Sequence, residues 1–238
     1  MLGQSPAPDP SSPSTISQLE AKAQAGDPGA QVALGKAYEA GRGVPQSYAL
    51  AMKWYRTAAE QGNAIAENDV GLMFRLGRGV EQDKVEAVKW YRKAAKKENL
   101  NAMYNIGTAY YNGDGVGADM VSAYAWFLLA EKVGNPAAIN ATKQMKEETG
   151  TLECDAFEKI GDMYQKGDEL GQNSSEAINW YRKAAENGKP EVQIKLANLL
   201  FHGEHASANY EEVHRLCEKA ANLHFPPGAY CMGRLYPR

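Results

Sequence analysis

The chain has 238 residues, a hydrophobic fraction of 44% and a formal net charge of −3. This hydrophobic fraction is typical of a folded, soluble protein and excludes a wholly disordered chain. The slightly acidic balance offers no basic surface for nucleic acid, and no apolar run reaches the roughly 18 residues of a membrane-spanning helix. We therefore expect no nucleic-acid partner and no direct membrane insertion.

Residues 1–16 are rich in proline and serine, and this composition predicts a flexible tail. The segment lacks the basic and apolar regions of a signal peptide. Such a tail could be what remains after an export signal has been removed, or it could be an ordinary ragged terminus. We favour the first reading, and with it a periplasmic or secreted location over a cytoplasmic one.

From residue 17 to residue 136 the sequence repeats every 36 residues. Two sets of residues mark the same period, namely Trp54, Trp90 and Trp126, and Gly35, Gly71 and Gly107. Both markers then move together by 54 residues, to Trp180 and Gly161, before the period of 36 resumes. The displacement equals one repeat plus 18 residues, which is the length of about one additional helix.

Each repeat predicts a hairpin of two helices. In the first helix, Ala66, Val70 and Met73 have the spacing of one helical face. A GRGV or GDGV turn follows, in which glycine makes positive φ angles accessible. The second helix is predicted to begin behind N-cap residues seven positions before the tryptophan marker: Ser47, Asp83, Asp119, Asn173 and Asn209. Glutamates at the third helical position predict reciprocal capping boxes: Glu86, Glu176 and Glu212.

A hairpin of this size cannot bury its apolar face alone, so neighbouring repeats must stack into a continuous core. We expect Gly71 to let the backbone of a neighbouring helix approach. Trp90 and Tyr91 are predicted core residues whose indole N–H or phenol reaches a polar partner. The WYRKAA and WYRTAA segments are then packing motifs and not platforms for a cofactor.

The repeats are interrupted once. Residues 137–151 predict an inserted helix, AAINATKQMKEET, at which the array could be kinked or divided. Residues 152–238 predict two further repeats and a final half-repeat, and these repeats lack the GxGV turn.

The repeated pattern A-x-x-x-L-G-x-x-Y, G-x-G-V-x-x-D and A-x-x-W-Y-x-K-A-A-x-x-G resembles the Sel-1-like repeat, a relative of the tetratricopeptide repeat. Copies lie at Ala30–Gly62, Ala66–Glu98 and Ala102–Gly134, and degraded copies begin at Ala156 and Val192. The resemblance implies a bacterial, all-α protein: a right-handed α/α superhelical solenoid of 36-residue helix-turn-helix repeats with one inserted half-repeat. It also implies a scaffold or adaptor that binds a peptide or protein on its concave face.

The resemblance raises one enzymatic alternative, because some family members are associated with penicillin-related hydrolysis. A cell-wall or β-lactam hydrolase of that kind needs a serine with a lysine three residues later, and no serine in the sequence has one. The GxSxG and GxxxxGK[ST] motifs are absent as well. We predict no catalytic residue and no cofactor. A second alternative is a regulatory subunit of a membrane-associated signalling complex that docks through the inserted helix.

Histidines and cysteines offer two further candidate sites. His202, His205 and His214 lie near Glu204 at a spacing that could bind zinc. Since no fourth ligand is evident, we interpret these histidines as exposed loop residues and predict no metal.

Cys217 takes the repeat position of Tyr55, Tyr91 and Tyr181, so it should be at least half-buried, whereas Cys231 takes a mostly polar, exposed position. Related proteins carry disulfides, but at other positions of the repeat. The sequence therefore does not decide whether Cys217 and Cys231 form a disulfide. Cys154 is expected to be a buried or half-buried thiol. The sequence favours a monomer without determining the oligomeric state.

The predicted partner-binding residues lie on the first helices of the second and third repeats, at positions −3, −2, +1, +4 and +5 from the marker glycine, which should face outward. They are Asn68, Asp69, Leu72, Arg75, Asn105, Thr108, Tyr111 and Asn112. Amides suit a peptide backbone, and Arg and Tyr are frequent hot-spot residues. The alternative is that they are ordinary solvated side chains, with Leu72 packed on a neighbouring repeat. Phe201, Lys195 and Asn198 form a second candidate patch.

Overall fold

A computed structural model of the chain describes residues 13–150, 152–186, 189–202 and 210–235. Within these ranges the chain forms thirteen α-helices and no β-strand, which confirms the all-α helical-repeat fold. None of these helices is both long and apolar enough to cross a membrane. The helices are α1 (Pro13–Gln24), α2 (Pro28–Ala40), α3 (Tyr48–Glu60), α4 (Ala64–Leu76), α5 (Lys84–Ala95), α6 (Leu100–Asn112), α7 (Met120–Lys132), α8 (Pro136–Thr149), α9 (Glu153–Lys166), α10 (Ser174–Glu186), α11 (Pro190–His202), α12 (Tyr210–Asn222) and α13 (Pro226–Leu235).

The chain divides into two compact units, Met1–Ala118 and Asp119–Arg238. In the first unit each helix from α1 to α6 packs against the next one along the chain. In the second unit α7 packs against both α8 and α9, and the packing then continues in chain order to α13. The boundary lies inside the third sequence repeat, between its two helices. The organisation into a tail, N-terminal repeats, an inserted helix and C-terminal repeats stays a prediction.

The turn and cap signals of the hairpins are confirmed. The first helix of a hairpin ends at a glycine of left-handed conformation, with φ of 67° at Gly41, 66° at Gly77 and 73° at Gly113. At the start of the second helix, the side chains of Ser47, Asp83, Asp119 and Asn173 accept hydrogen bonds from backbone amides of the first turn. Asn209 lies outside the described residues.

The reciprocal half of the predicted capping boxes is wrong for Glu86 and Glu176. The amide of the N-cap residue donates instead to a carbonyl near the end of the preceding helix: Ser47 to Tyr38, Asp83 to Phe74 and Asn173 to Tyr164. Since that carbonyl already takes the N-cap amide, the glutamates pair with lysines, Glu86 with Lys89 and Glu176 with Lys132. These backbone bonds hold the two helices of a hairpin together. Glu212, whose N-cap is not described, pairs with Arg182.

A second set of caps was not predicted. Asp27, Asn63, Asn99 and Asn135 also recur every 36 residues, and each side chain caps a following helix. Three of these helices, α2, α4 and α6, are first helices of hairpins. The fourth, α8, is the inserted helix, so it starts as a first helix does. The next helix, α9, is again a first helix, and the insertion is therefore a first helix without a second.

The cores of three hairpins are built around a glycine and a tyrosine. A Cβ atom added to Gly71 would lie 2.6 Å from a ring carbon of Tyr91 and 3.0 Å from the carbonyl oxygen of Ala87. The expected approach of a neighbouring helix backbone is confirmed for α5, and the ring of Tyr91 lies closer still. The same arrangement pairs Gly35 with Tyr55 and Gly161 with Tyr181.

Tyr91 is fully buried as predicted, but Trp90 is only half-buried. The indole ring of Trp90 packs against the edge of the core. On its other side, the Nζ atom of Lys93 lies 3.8 Å from the ring centroid. Trp54 is half-buried as well, whereas Trp126 and Trp180 are buried. The tryptophan marker is thus an interior position only in the second unit.

The cysteine prediction left open by the sequence is resolved by the structure. A disulfide joins Cys217 of α12 to Cys231 of α13, with Cα atoms 5.6 Å apart, a normal separation for a bridged pair. Cys217 is buried as expected, and Cys231 is half-buried because α13 packs on α12. Cys154 is a half-buried thiol whose Sγ lies 3.3 Å from the carbonyl oxygen of Ala184, and burial raises its pKa.

Candidate partner-binding surface

The eight predicted residues lie on α4 and α6 of the first unit, and we call them the first-helix surface. Tyr111 and Asn112 are exposed, the former by 38%. Five others are half-buried: Asp69, Leu72, Arg75, Asn105 and Thr108. Asn68 is only 6% exposed, so the prediction that it faces outward is wrong.

Asn68 is buried because it belongs to a hydrogen-bond chain between helices. Asn105 Nδ2 donates to Asn68 Oδ1 at 2.9 Å, and Asn68 Nδ2 donates to Asp69 Oδ1 at 3.1 Å. Lys36 of α2 extends the chain, with its Nζ 3.9 Å from Asp69 Oδ2. Burial raises the pKa of the Asp69 carboxyl, and Lys36 offsets this in part. These contacts connect α2, α4 and α6.

A cavity of about 120 Å³ opens between α4, α5 and α6. It brings together three of the predicted residues, Arg75, Asn105 and Thr108, and is also lined by Lys84, Ala87, Val88, Tyr91, Tyr104, Ala109 and Asp114. Pockets for drug-sized ligands and cofactors measure about 300–1,000 Å³. This cavity therefore fits a single side-chain group.

Two residues that line the cavity have a buried donor without a partner among the described residues. Tyr91 is 1% exposed, and its hydroxyl has no hydrogen-bond partner among the described residues; the same holds for the buried Nε of Arg75. Burial raises the pKa of Tyr91 to about 12, although the nearby Arg75 guanidinium lowers it. Arg75 is thus close enough to act on the Tyr91 hydroxyl electrostatically, but no hydrogen bond of normal geometry joins the two groups. At neutral pH the hydroxyl keeps its proton and remains a donor.

The equivalent tyrosines of other repeats have carboxylate partners. Tyr55 donates to Glu39 at 2.8 Å, and Arg78 Nη1 lies 3.2 Å from the other oxygen of that carboxylate. Tyr181 donates to Asp162 at 2.6 Å, and Lys195 Nζ lies 3.3 Å from the same oxygen. Burial, followed by these hydrogen bonds, raises the pKa of both tyrosines far above the usual range. In two repeats, then, a buried tyrosine and a cation converge on a carboxylate.

Sequence reasoning missed two aromatic residues of the cavity. Tyr104 stands at position −3 of the third repeat, the position that Asn68 takes in the second, so the same rule could have included it. Tyr91 was assigned to the core alone. A sequence signal for its role exists four residues after the marker glycine, where the first repeat has Glu39 and the second has Arg75.

The second candidate patch differs from the first in its electrostatics. Lys195 Nζ lies 2.6 Å from Glu158 and 3.3 Å from Asp162, so its charge is already paired. Phe201 is half-buried and packs edge-on against His202 and Tyr210, while Asn198 is exposed. Of the histidine cluster, His202 and His214 are described, whereas Glu204 and His205 lie outside the described residues.

The helical hairpins, with their caps and stacked cores, define a helical-repeat protein. A family model for the Sel1 repeat matches residues 28–63, 64–99, 100–135, 158–189 and 190–225. These segments make up well over half of the chain, and the chain belongs to the Sel1 repeat family. Proteins with Sel1 repeats are generally scaffolds for protein interactions and typically have no enzymatic activity.

Similar solved structures include a Sel1 repeat protein from Oxalobacter formigenes, which is 27% identical over 88% of this chain and 79% of that one, with a TM-score of 0.48. A protective antigen of uropathogenic Escherichia coli with an SLR fold is 26% identical, over 94% of this chain and 59% of that one, with a TM-score of 0.44. The chain thus spans less than two thirds of the length of that antigen. None of the curated proteins matches the sequence.

Proposed function

We propose that the chain is an interaction scaffold that binds a peptide or protein on the first-helix surface, the concave face that the family resemblance implies. The cavity beside Arg75 carries this proposal, because it joins three of the predicted residues to buried donors that have no partner in the described part of the chain. A group bound there would satisfy those donors. The exposed Tyr111 and Asn112 lie farther along α6, where they offer further contacts to the same partner.

The rigidity of the surrounding helices supports this function. The helices that carry the surface are capped at both ends, and the Asn105–Asn68–Asp69 chain connects them. A preformed surface loses little conformational entropy on binding, so few contacts suffice for affinity. Tyrosine and arginine side chains at such surfaces are frequent hot spots.

A site-specific photocrosslinking experiment tests the proposal. A photoreactive amino acid is placed at Asn112 in the full chain and, as a control, at Lys53, which is exposed on the second helix α3. In cells that produce the protein, we expect Asn112 to crosslink a discrete partner and Lys53 not to. The Arg75→Ala/Tyr111→Ala double variant should lose that product while keeping its circular dichroism spectrum and melting temperature.

The affinity of the identified partner for the purified chain then shows how much Arg75 and Tyr111 contribute to binding. We expect the double variant to bind at least about tenfold more weakly, as for removal of hot-spot residues, and Lys53→Ala to bind as the wild type does. A partner that crosslinks equally from both positions, or that binds the folded double variant unchanged, would refute the assignment of the first-helix surface.

A further inference from the structure

We infer that the cavity between α4, α5 and α6 receives a carboxylate group of the bound peptide, either an acidic side chain or a chain terminus. This inference rests on the proposed function and adds the chemistry of the partner. Its basis is the comparison of three buried tyrosines at one repeat position. Two of them donate to a carboxylate of their own chain, while the third has no hydrogen-bond partner among the described residues.

The donors of the second repeat match those that hold a carboxylate elsewhere in the chain. In the first repeat, the Tyr55 hydroxyl and the Arg78 guanidinium hold Glu39 between them. In the second repeat, Tyr91 and Arg75 both line the cavity, and the buried Tyr91 hydroxyl has no such acceptor among the described residues. Arg75 stands at the repeat position of Glu39, so the residue that supplies the carboxylate in one repeat is a cation in the next. A carboxylate of a bound partner would supply the acceptor at this place.

The charge balance of the cavity favours an anionic guest. Its wall contains two cations, Arg75 and Lys84, and one acid, Asp114. Lys84 Nζ lies 2.7 Å from Asp114 Oδ1, so these two charges are paired with each other. Arg75 makes no ion pair with any of the described residues. Asp69 also acts on Tyr91 electrostatically, but it does not line the cavity. Its Oδ1 accepts from Asn68, and its Oδ2, which has no hydrogen-bond partner among the described residues, lies 3.9 Å from Lys36 Nζ.

The chemistry of the donors selects a carboxylate over a neutral amide. Arginine presents a planar set of N–H donors that matches the two oxygens of a carboxylate, and the Tyr91 O–H adds a third donor with a fixed direction. Hydrogen bonds to a charged acceptor are about twice as strong as those to a neutral one. A cavity of about 120 Å³ accommodates a carboxylate and the carbon atoms next to it, while the rest of the peptide stays outside.

A peptide selection identifies the guest group. A random dodecapeptide library is selected on the immobilised full-length chain, and the enriched peptides are synthesised with single Glu→Gln or Asp→Asn replacements and with a free or amidated C-terminus. Fluorescence anisotropy gives each affinity for the wild type, Arg75→Gln, Tyr91→Phe and the control Lys53→Gln, which removes one exposed positive charge outside the cavity. Circular dichroism and melting temperature verify that each variant is folded.

For the wild type, we expect that replacing one carboxylate of the peptide, in a side chain or at the C-terminus, by an amide weakens binding at least tenfold. In Arg75→Gln the acidic peptide and its amide analogue should bind equally, whereas Lys53→Gln should still distinguish them. Tyr91→Phe should lower the affinity of the acidic peptide only. Asp114→Asn, which removes the competing negative charge, should tighten binding of the acidic peptide several-fold.

The unfavourable outcomes separate this inference from the proposed function. Peptides that bind the first-helix surface with no difference between acid and amide, or with no effect of Arg75→Gln, would overturn the carboxylate assignment and leave the scaffold function intact. Weaker binding by Asp114→Asn would indicate a cationic guest and overturn it as well. Failure to select any peptide that depends on this surface would count against both.

Discussion

At the scale of single residues, the buried tyrosine hydroxyls form a natural comparison series. Tyr55 and Tyr181 donate to carboxylates at 2.8 and 2.6 Å, whereas the Tyr91 hydroxyl has no hydrogen-bond partner among the described residues. All three rings fill the space above a glycine. Replacement by phenylalanine keeps the ring and removes only the hydroxyl, so the variants separate packing from hydrogen bonding.

We expect Tyr55→Phe and Tyr181→Phe each to lower the free energy of unfolding by about 1.5–3 kcal/mol, the range for a hydrogen bond to a charged group. Tyr91→Phe should change it by less than about 0.5 kcal/mol, because no hydrogen bond is lost. Urea unfolding followed by far-UV circular dichroism measures the three values. Equal losses in all three variants would show that the carboxylate partners contribute nothing.

The candidate site could be predicted only in part, because its outline follows from the repeat and its chemistry does not. Arg75, Asn105 and Thr108 could be found from their offset to the marker glycine, since one helical face determines that offset. The missing partner of Tyr91 depends on which groups lie around its hydroxyl in the folded chain, and no local pattern encodes this. Asn68 was misplaced for the same reason, since Asn105, 37 positions away, draws it inward.

At the scale of the elements, the second glycine of two GxGV turns, Gly79 and Gly115, controls how one repeat packs on the previous one. Gly79 has a φ of 70°, and a Cβ atom there would lie 2.4 Å from the carbonyl oxygen of Tyr48, at the start of α3. Gly115 approaches the carbonyl oxygen of Lys84 in the same way, at 2.2 Å. By contrast, a Cβ atom at Gly117 would meet no atom within 4 Å.

We expect Gly79→Ala to lower the free energy of unfolding by at least about 1–2 kcal/mol, the cost of a left-handed conformation for a residue with a side chain. The collision with Tyr48 adds to that cost. Gly117→Ala is the matched control and should be neutral or stabilising by up to about 1 kcal/mol, since it restricts the unfolded chain. Thermal and urea unfolding of both variants measure the difference, and similar effects of the two substitutions would contradict this role of Gly79.

The hairpins themselves could be predicted because several local signals agreed. The helices from α2 to α8, and α10, each start behind a capping side chain, and each first helix of the GxGV repeats ends at a glycine. These signals act within one turn of the chain. The bonds between elements could not be predicted in the same way. The N-cap amide of Asp83 donates to the carbonyl of Phe74 and not to the side chain of Glu86, because the hairpin brings that carbonyl to 3.0 Å from the amide.

At the scale of the whole molecule, stability should be distributed locally along the chain. Within each unit most helices pack against their chain neighbours, so the free energy is close to a sum of repeat and interface contributions. A change at one end should then leave distant helices protected. The Cys217–Cys231 disulfide joins residues 14 apart at the C-terminal end and provides a localised perturbation.

We expect Cys231→Ser to increase amide hydrogen exchange in α12 and α13, because closing a loop of about 15 residues is worth roughly 3 kcal/mol in the chain-entropy model. Exchange in α9, in the same unit, and in α4 should stay at wild-type rates. Hydrogen–deuterium exchange with mass spectrometry measures all four helices at once, and Cys154→Ser serves as the control because it removes a thiol and keeps the disulfide. Exchange that rose equally in α4, α9 and α12 would mean that the repeats unfold together, and the local description of stability would then fail.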